Sequence, residues 1–124
     1  MSGSNSALVD TNILIYLFKG NERIFELLNG RDIWVSFITE MEVLAFDGHT
    51  QKELQTIKEF LGECRIVDIN RSIKDAAIDI RKNDKVKLPD AIIAATAYYL
   101  DLPLITADKG FKAIDRIVTA IVDL

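Results

Sequence analysis

Four acidic residues lie in apolar or small-residue neighbourhoods that are expected to keep their carboxylates out of water. They are Asp10, Glu42, Asp90 and Asp108. A buried carboxylate destabilises a fold unless a cation or several hydrogen-bond donors compensate its charge. Hard divalent cations such as Mg²⁺ and Mn²⁺ prefer oxygen ligands of this kind. If the fold gathers the four acids, they predict a carboxylate metal site, and such a site points to phosphodiester chemistry.

Each of these acids also has a simpler explanation when it is taken alone. Asp10 or Asn12 could be the N-cap of the helix predicted to follow the first strand, which is the commonest task of Asp or Asn there. Asp108 could cap a short helix in the same way, and Asp90 could complement a helix dipole. Glu42 could be a partly exposed residue at a helix edge.

Two of the acids fit those simpler roles less well. The helix that Asp90 opens is apolar nearly all round, so it is expected to be buried, and an acid at its mouth needs a partner. Glu42 lies inside a helix and cannot cap it, and its neighbours on the helical wheel, Ile38 and Phe46, are apolar. Glu40 points to the polar side of the same wheel. Glu42 is therefore the candidate ligand of the pair.

The composition indicates one soluble, globular domain over residues 1–124, in which Met1–Ser6 is expected to be frayed. With 49% hydrophobic and 27% charged residues the chain is not a disordered one. Its net charge of −4 argues against non-specific coating of nucleic acid but leaves a nucleic-acid enzyme possible. The longest mostly apolar run, 91–100, is too short to cross a membrane, and no signal peptide is recognisable.

The remaining reactive side chains offer little alternative chemistry. Cys64 is the only cysteine, which excludes an internal disulfide, and it is expected to be an inert core thiol. These features favour a cytoplasmic setting. His49 is the only histidine and lies in a predicted turn, where it is more typical of the surface than of catalysis. The sequence has no P-loop and no G-x-G-x-x-G motif.

Basic residues are concentrated beside two of the acids. Lys85 and Lys87 precede Asp90, while Lys109 and Lys112 follow Asp108. They could form a solvated loop and an ordinary helix face. The alternative is that they contact phosphates at the rim of the acidic site.

Short apolar runs alternate with helical patterns along the chain. The predicted strands are Ala7–Asp10, Asp32–Val35, Cys64–Ile69, Leu104–Thr106 and Ile117–Val122. Thr50 and Glu53 predict a capping box at the start of one helix. Ile73, Ala77 and Ile80 share the apolar face of another helix. This alternation predicts a three-layer α/β/α fold with a central, mostly parallel five-stranded sheet, in which ligands bind at the carboxyl ends of the strands.

Four segments together resemble the motifs of the PIN domain family of metal-dependent ribonucleases, and within it the VapC-type toxins of toxin–antitoxin systems. The segments run from Leu8 to Tyr16, from Ser36 to Leu44, from Leu88 to Ala97 and from Leu104 to Phe111, and each carries one of the four acids. The resemblance spans nearly the whole chain, and the order and spacing of the four motifs are specific.

The resemblance implies an endoribonuclease that hydrolyses RNA phosphodiester bonds. The residues themselves suggest metal-assisted phosphodiester chemistry, and RNA as the substrate comes from the resemblance alone. Asp10, Asp90 and Asp108 are expected to hold one or two Mg²⁺ or Mn²⁺ ions, with Glu42 as a further ligand or as the residue that orients a water. Donors that orient the carboxylates are expected at Thr11, Asn12 and Thr106.

The toxin role comes from the family alone, and it implies a cognate antitoxin that covers the acidic cleft. The apolar helices within Ile13–Leu28 could supply the groove for that antitoxin or for a homodimer, or they could be ordinary core. There is one departure from the family: many relatives carry a further acid at the place of Gly110, so a second metal is in question. Asp115 could substitute for that acid, although nothing in the spacing requires it.

Three other readings compete. A receiver domain or a haloacid-dehalogenase-like phosphatase also places an aspartate after its first strand, but receivers need adjacent acids there and the phosphatases need a second aspartate where this chain has Asn12. A PIN-like fold could also serve as a non-catalytic binding module. A PIN nuclease could act outside a toxin pair, in RNA processing or on structured DNA.

Overall fold

The computed structural model describes residues 5–124, and within that range the chain forms five β-strands and six α-helices. The strands are β1 (Ser6–Val9), β2 (Asp32–Ser36), β3 (Arg65–Val67), β4 (Leu104–Thr106) and β5 (Thr119–Ile121). The helices are α1 (Thr11–Phe18), α2 (Glu22–Leu28), α3 (Phe37–Ala45), α4 (Gln51–Glu63), α5 (Arg71–Asp84) and α6 (Leu88–Leu100). A 3₁₀ helix, Lys109–Ala113, joins β4 to β5. None of the helices in this described range is long and apolar enough to cross a membrane.

The five strands form one sheet in the order β3-β2-β1-β4-β5, and every neighbouring pair is parallel. The predicted three-layer α/β/α fold is confirmed, with a sheet that is parallel throughout. Because all strands point the same way, their carboxyl ends share one edge of the sheet, and the loops that leave this edge can bring distant side chains together.

Successive side chains of a strand point to opposite faces of the sheet, so each face has its own buried core. On one face, Ala7 and Val9 of β1 pack with helices α1, α2 and α4. On the other face, Leu8 of β1 and Leu104 of β4 pack with α5 and α6. The sheet is thus covered on both sides, as buried parallel sheets require.

The helix signals in the sequence appear in the structure. The predicted capping box is confirmed: the Glu53 amide donates to Thr50 Oγ1 over 3.0 Å, and the Thr50 amide donates to Glu53 Oε1 over 2.8 Å. In α5 the residues Ile73, Ala77 and Ile80 are buried, which confirms the predicted apolar face.

Several element boundaries differ from the predictions. Ser6 was expected in a frayed start but belongs to β1, where its hydroxyl donates to Asp32 over 2.8 Å; positions 1–4 lie outside the described residues. The strands predicted as Cys64–Ile69 and Ile117–Val122 are shorter, because β3 and β5 are edge strands that end with their single neighbours.

Candidate active site

The four acids that the sequence singled out line one small cavity at the carboxyl edge of the sheet. Its volume is about 130 Å³. The lining residues are Asp10, Thr11, Asn12, Glu42, Asp90, Ile93 and Asp108. They come from the ends of β1 and β4 and from helices α1, α3 and α6. The tertiary fold therefore brings together acids that are far apart in the sequence, from Asp10 to Asp108.

Asp10 is the most buried of the four acids. Its side chain follows β1 and is only 3% exposed. One oxygen accepts the Ile13 amide over 3.2 Å, so Asp10 is the N-cap of α1, and the other accepts the hydroxyl of Thr106. Burial raises the pKa of Asp10 above its ordinary 3.8, and the charges of Asp108 and Asp90 raise it further, while the two hydrogen bonds act in the opposite direction. Capping and participation in the acidic site are therefore compatible roles for this residue.

Thr106 connects the acids at the ends of the two central strands. Its buried hydroxyl donates to Asp10 and accepts the backbone amide of Asp108 over 3.0 Å. Asp108 then caps the 3₁₀ helix by accepting the Gly110 amide over 2.8 Å. The expectation that Asp108 is kept out of water is wrong: it is exposed, because it caps an exposed start of the 3₁₀ helix, over which its carboxylate folds back.

Glu42 reaches the cavity from the middle of α3. The hydroxyl of Thr11 donates to its Oε1 over 2.5 Å, and that same hydroxyl lies 3.1 Å from the hydroxyl of Thr39. Glu40, which the helical wheel assigned to the polar side, does not line the cavity. Thr39 belongs to the segment that resembles the family's second motif, but no role was predicted for it, although its place one helical turn before Glu42 could have indicated one.

Asp90 enters the cavity from the first turn of α6. Desolvation raises its pKa above 3.8, Asp108 and Glu42 raise it further, and the nearby charge of Lys87 lowers it. The pKa values of Asp10 and Asp90 both indicate several carboxylates in mutual repulsion. A cation placed among them would relieve both that repulsion and the cost of burial.

The donor set fits a hard divalent cation better than any other ligand, because every ionisable group that lines the cavity is a carboxylic acid. Within residues 5–124, however, no three His, Cys, Asp or Glu side chains converge closely enough to chelate an ion in this arrangement.

Of the remaining predicted residues, Asn12 lines the cavity and the four lysines do not. Asn12 lines the cavity and is exposed, in the first turn of α1 rather than at its cap. Lys85 ends α5 in the left-handed region, Lys87 is the N-cap residue of α6, and Lys109 and Lys112 lie in the 3₁₀ helix. All four lysines are exposed, and none of them lines the cavity.

A larger groove of about 660 Å³ lies on the α1, α2 and α4 side of the sheet and shares no lining residue with the acidic cavity. Its apolar lining consists of Leu17, Phe18, Phe25, Leu28, Ile33 and Phe60. Cys64 also lines the groove, and burial raises the pKa of its thiol to about 12, which fits the expected inert thiol.

His49, which was expected at the surface, is half-buried rather than exposed. Its Nε2 lies 3.0 Å from the Val43 carbonyl oxygen, and its ring packs against Phe46. The histidine therefore ties the loop after α3 to the end of that helix, and it does not line the acidic cavity.

The sequence profile of the PIN domain family matches residues 7–117. Among solved structures, a chain of a toxin–antitoxin complex from Klebsiella pneumoniae is 37% identical, with a TM-score of 0.81, over 94% of this chain and 99% of that one. FitAcB from Neisseria gonorrhoeae is 25% identical, with a TM-score of 0.76, over 91% and 95%. VapBC2 from Rickettsia felis, bound to a promoter DNA fragment, is 20% identical, with a TM-score of 0.82, over 95% and 99%, and shows the fold alone. No curated protein sequence matches this chain.

Proposed function

The chain belongs to the PIN domain family, and we propose that it is a metal-dependent endoribonuclease, the toxin of a type II toxin–antitoxin pair. The observation that carries this proposal is the single cavity in which Asp10, Glu42, Asp90 and Asp108 meet from four separate parts of the chain. The raised pKa values of Asp10 and Asp90, to which burial and the charges of neighbouring acids contribute, indicate a site that works with a cation bound.

We assign Asp10, Asp90 and Asp108 as ligands of one or two Mg²⁺ or Mn²⁺ ions. A bound divalent ion supplies Lewis acidity at the phosphodiester and makes a water more acidic. Thr106 keeps Asp10 and the backbone of Asp108 in a fixed relation. Thr11 occupies Oε1 of Glu42, which leaves Oε2 to take a further ligand position or to orient the attacking water. Lys87 and Lys109 flank the acids in sequence and are proposed to contact RNA phosphates.

The proposed partner is an antitoxin, because the chain of known structure that is 37% identical comes from a toxin–antitoxin complex. We propose that an apolar antitoxin segment fills the groove between α1, α2 and α4, with a basic side chain reaching the acids. Phe25, which is 58% exposed at that groove, gives a test: Phe25→Asp is expected to abolish co-purification with an antitoxin encoded beside the gene. If Phe25→Asp instead converts a dimer to a monomer in light scattering, the groove belongs to the proposed homodimer.

The competing readings differ in what they require. A receiver domain has the strand order 2-1-3-4-5, whereas this sheet has β3-β2-β1-β4-β5. A non-catalytic PIN-like module needs no cation. A PIN nuclease acting in RNA processing needs the same acids but no antitoxin, so it shares the chemistry and differs in biology.

Expression in a bacterial cytoplasm tests the proposed function. We expect the wild-type chain to arrest growth and to leave cleaved RNA, and Asp90→Asn to abolish both effects. Asp101→Asn is the matched control, because Asp101 ends the same helix outside the cavity. Growth arrest that persists in Asp90→Asn would contradict the nuclease assignment.

A further inference from the structure

We infer that Thr39 is a positioning residue that holds Glu42 through Thr11, and this inference rests on the proposed metal-dependent function. Thr39 does not line the acidic cavity and is fully buried, with no exposed surface. It therefore cannot touch an ion or a phosphate. Its only route to the site is a hydroxyl chain that ends on the Glu42 carboxylate.

The direction of that chain follows from counting protons. The Thr11 hydroxyl donates to Glu42 Oε1 over 2.5 Å, so the single proton of Thr11 is committed to Glu42. The contact of 3.1 Å between the two threonine hydroxyls then requires Thr39 to be the donor. Thr39 thus donates to Thr11, and Thr11 donates to Glu42.

The chain joins two helices whose relative position decides where Glu42 lies. Thr11 is the first residue of α1, directly after Asp10, while Thr39 and Glu42 are one turn apart on the same side of α3. The two hydroxyls therefore hold the Glu42 carboxylate in a fixed position relative to Asp10, the residue before Thr11. The packing of α3 against α1 therefore affects where the Glu42 carboxylate lies.

Removal of the Thr39 hydroxyl takes away the hydrogen bond that Thr11 accepts, while the Thr11 proton keeps Glu42 as its acceptor. A hydroxyl that accepts a hydrogen bond has its remaining directions restricted and is a stronger donor. Without Thr39, the Thr11 hydroxyl is a weaker donor that is less fixed in direction, and Glu42 then samples other rotamers. The Glu42 carboxylate is then still present, but it is no longer held in the position in which it would bind a cation.

Calorimetric titration with Mn²⁺ alone tests this role on the purified chain. We expect Thr39→Val to weaken Mn²⁺ binding by about ten-fold, at the lower end of the range for residues that support metal ligands. Thr39→Ser keeps the hydroxyl and is expected to bind like the wild type. Thr96→Val is the matched control, because it removes another buried threonine hydroxyl that bonds only to its own helix, at the Ile92 carbonyl.

A second titration shows whether Thr39 acts through Glu42. In a Glu42→Ala background, Thr39→Val is expected to cause no further loss of Mn²⁺ affinity, as in a double-mutant cycle of coupled residues. Urea unfolding of each variant, and of Thr39→Ala as a second hydroxyl deletion, separates this effect from general destabilisation.

The outcomes are distinguishable. Unchanged Mn²⁺ affinity in a folded Thr39→Val or Thr39→Ala variant overturns the positioning role and leaves the nuclease proposal intact. An equal loss in Thr96→Val, or an undiminished loss in the Glu42→Ala background, also overturns it. A wild-type chain that neither binds Mn²⁺ nor cleaves RNA overturns the proposed function, and the positioning role with it.

Discussion

The Thr106 hydroxyl donates a hydrogen bond to the Asp10 carboxylate, although the two residues are 96 positions apart in the chain. They lie at the ends of β4 and β1, which are hydrogen-bonded neighbours at the centre of the sheet. The same hydroxyl accepts the amide of Asp108. One side chain therefore holds the first and the last acid of the site in a fixed relation.

Replacement of Thr106 is expected to damage the site more than the fold. Thr106→Val removes the donor to Asp10 and leaves the Asp108 amide without its acceptor. We expect Mn²⁺ affinity and RNA cleavage to fall by about 10- to 100-fold, as for other residues that orient metal ligands. Thr106→Ser is expected to retain both. Equal losses in the Val and Ser variants would show that the methyl group, and not the hydroxyl, is what matters.

Neutralising one acid is expected to stabilise the metal-free protein. The pKa of Asp90 is raised by burial and by the charges of Asp108 and Glu42, so its ionised form is disfavoured in the folded state. Asp90→Asn should therefore raise the melting temperature in EDTA at neutral pH by a few degrees, while it abolishes cleavage. A lower melting temperature in EDTA would show that Asp90 makes stabilising contacts instead.

The pH dependence of that gain follows from the direction of the pKa shift. The pKa of Asp90 is 3.8 in the unfolded chain and higher in the folded protein. At a pH between these two pKa values the folded state binds more protons than the unfolded state. The contribution of Asp90 to the free energy of unfolding therefore falls as pH rises through this window. Below 3.8 both states are protonated and the two proteins differ least. The advantage of Asp90→Asn should thus grow as pH rises through this window and then level off, which urea unfolding at several pH values would measure.

A divalent ion is expected to stabilise the wild-type fold. Binding to the folded state alone contributes about 2.7 kcal/mol when the free ion is at about 100 times its dissociation constant. We expect Mn²⁺ to raise the melting temperature of the wild type, and to raise that of Asp90→Asn much less. A melting curve that millimolar Mn²⁺ leaves in place would contradict a metal site among these acids.

The exposed lysines beside the acids are expected to contribute to RNA binding through charge alone. Lys87→Ala and Lys109→Ala should each weaken binding of single-stranded RNA and reduce the salt slope of log K by about 0.7 per lost phosphate contact. Lys58→Ala, on the exposed side of α4, is the control and should change neither. Filter binding in EDTA over a range of salt concentrations would measure this, and slopes equal to that of Lys58→Ala would remove these lysines from the interface.

Much of the fold could be predicted because local patterns agree with it. The capping box of Thr50 and Glu53 and the apolar face of α5 depend only on residues a turn or two apart. The ends of the edge strands could not be predicted in this way, since hydrogen bonds to a neighbour set them. Residue Val67 ends β3 because it pairs with Ser36, the last residue of β2.

The acids could be recognised individually, but their environments could not. Leu104–Thr106 predicts a buried strand and says nothing of the direction in which the chain then leaves, so the exposure of Asp108 was missed. The contact between Thr39 and Thr11 could not be predicted, because the two residues lie in different helices. The large groove is likewise a property of the packing of three helices and not of any one segment.

The most direct test of the account is cleavage of labelled RNA by the purified chain, free of antitoxin, with Mn²⁺ or with EDTA. Wild type is assayed beside Asp10→Asn, Asp90→Asn and the control Asp101→Asn, each shown to be folded. We expect cleavage by wild type and Asp101→Asn in Mn²⁺ only, and loss of cleavage in both cavity variants. Cleavage that survives EDTA or either cavity substitution would contradict it.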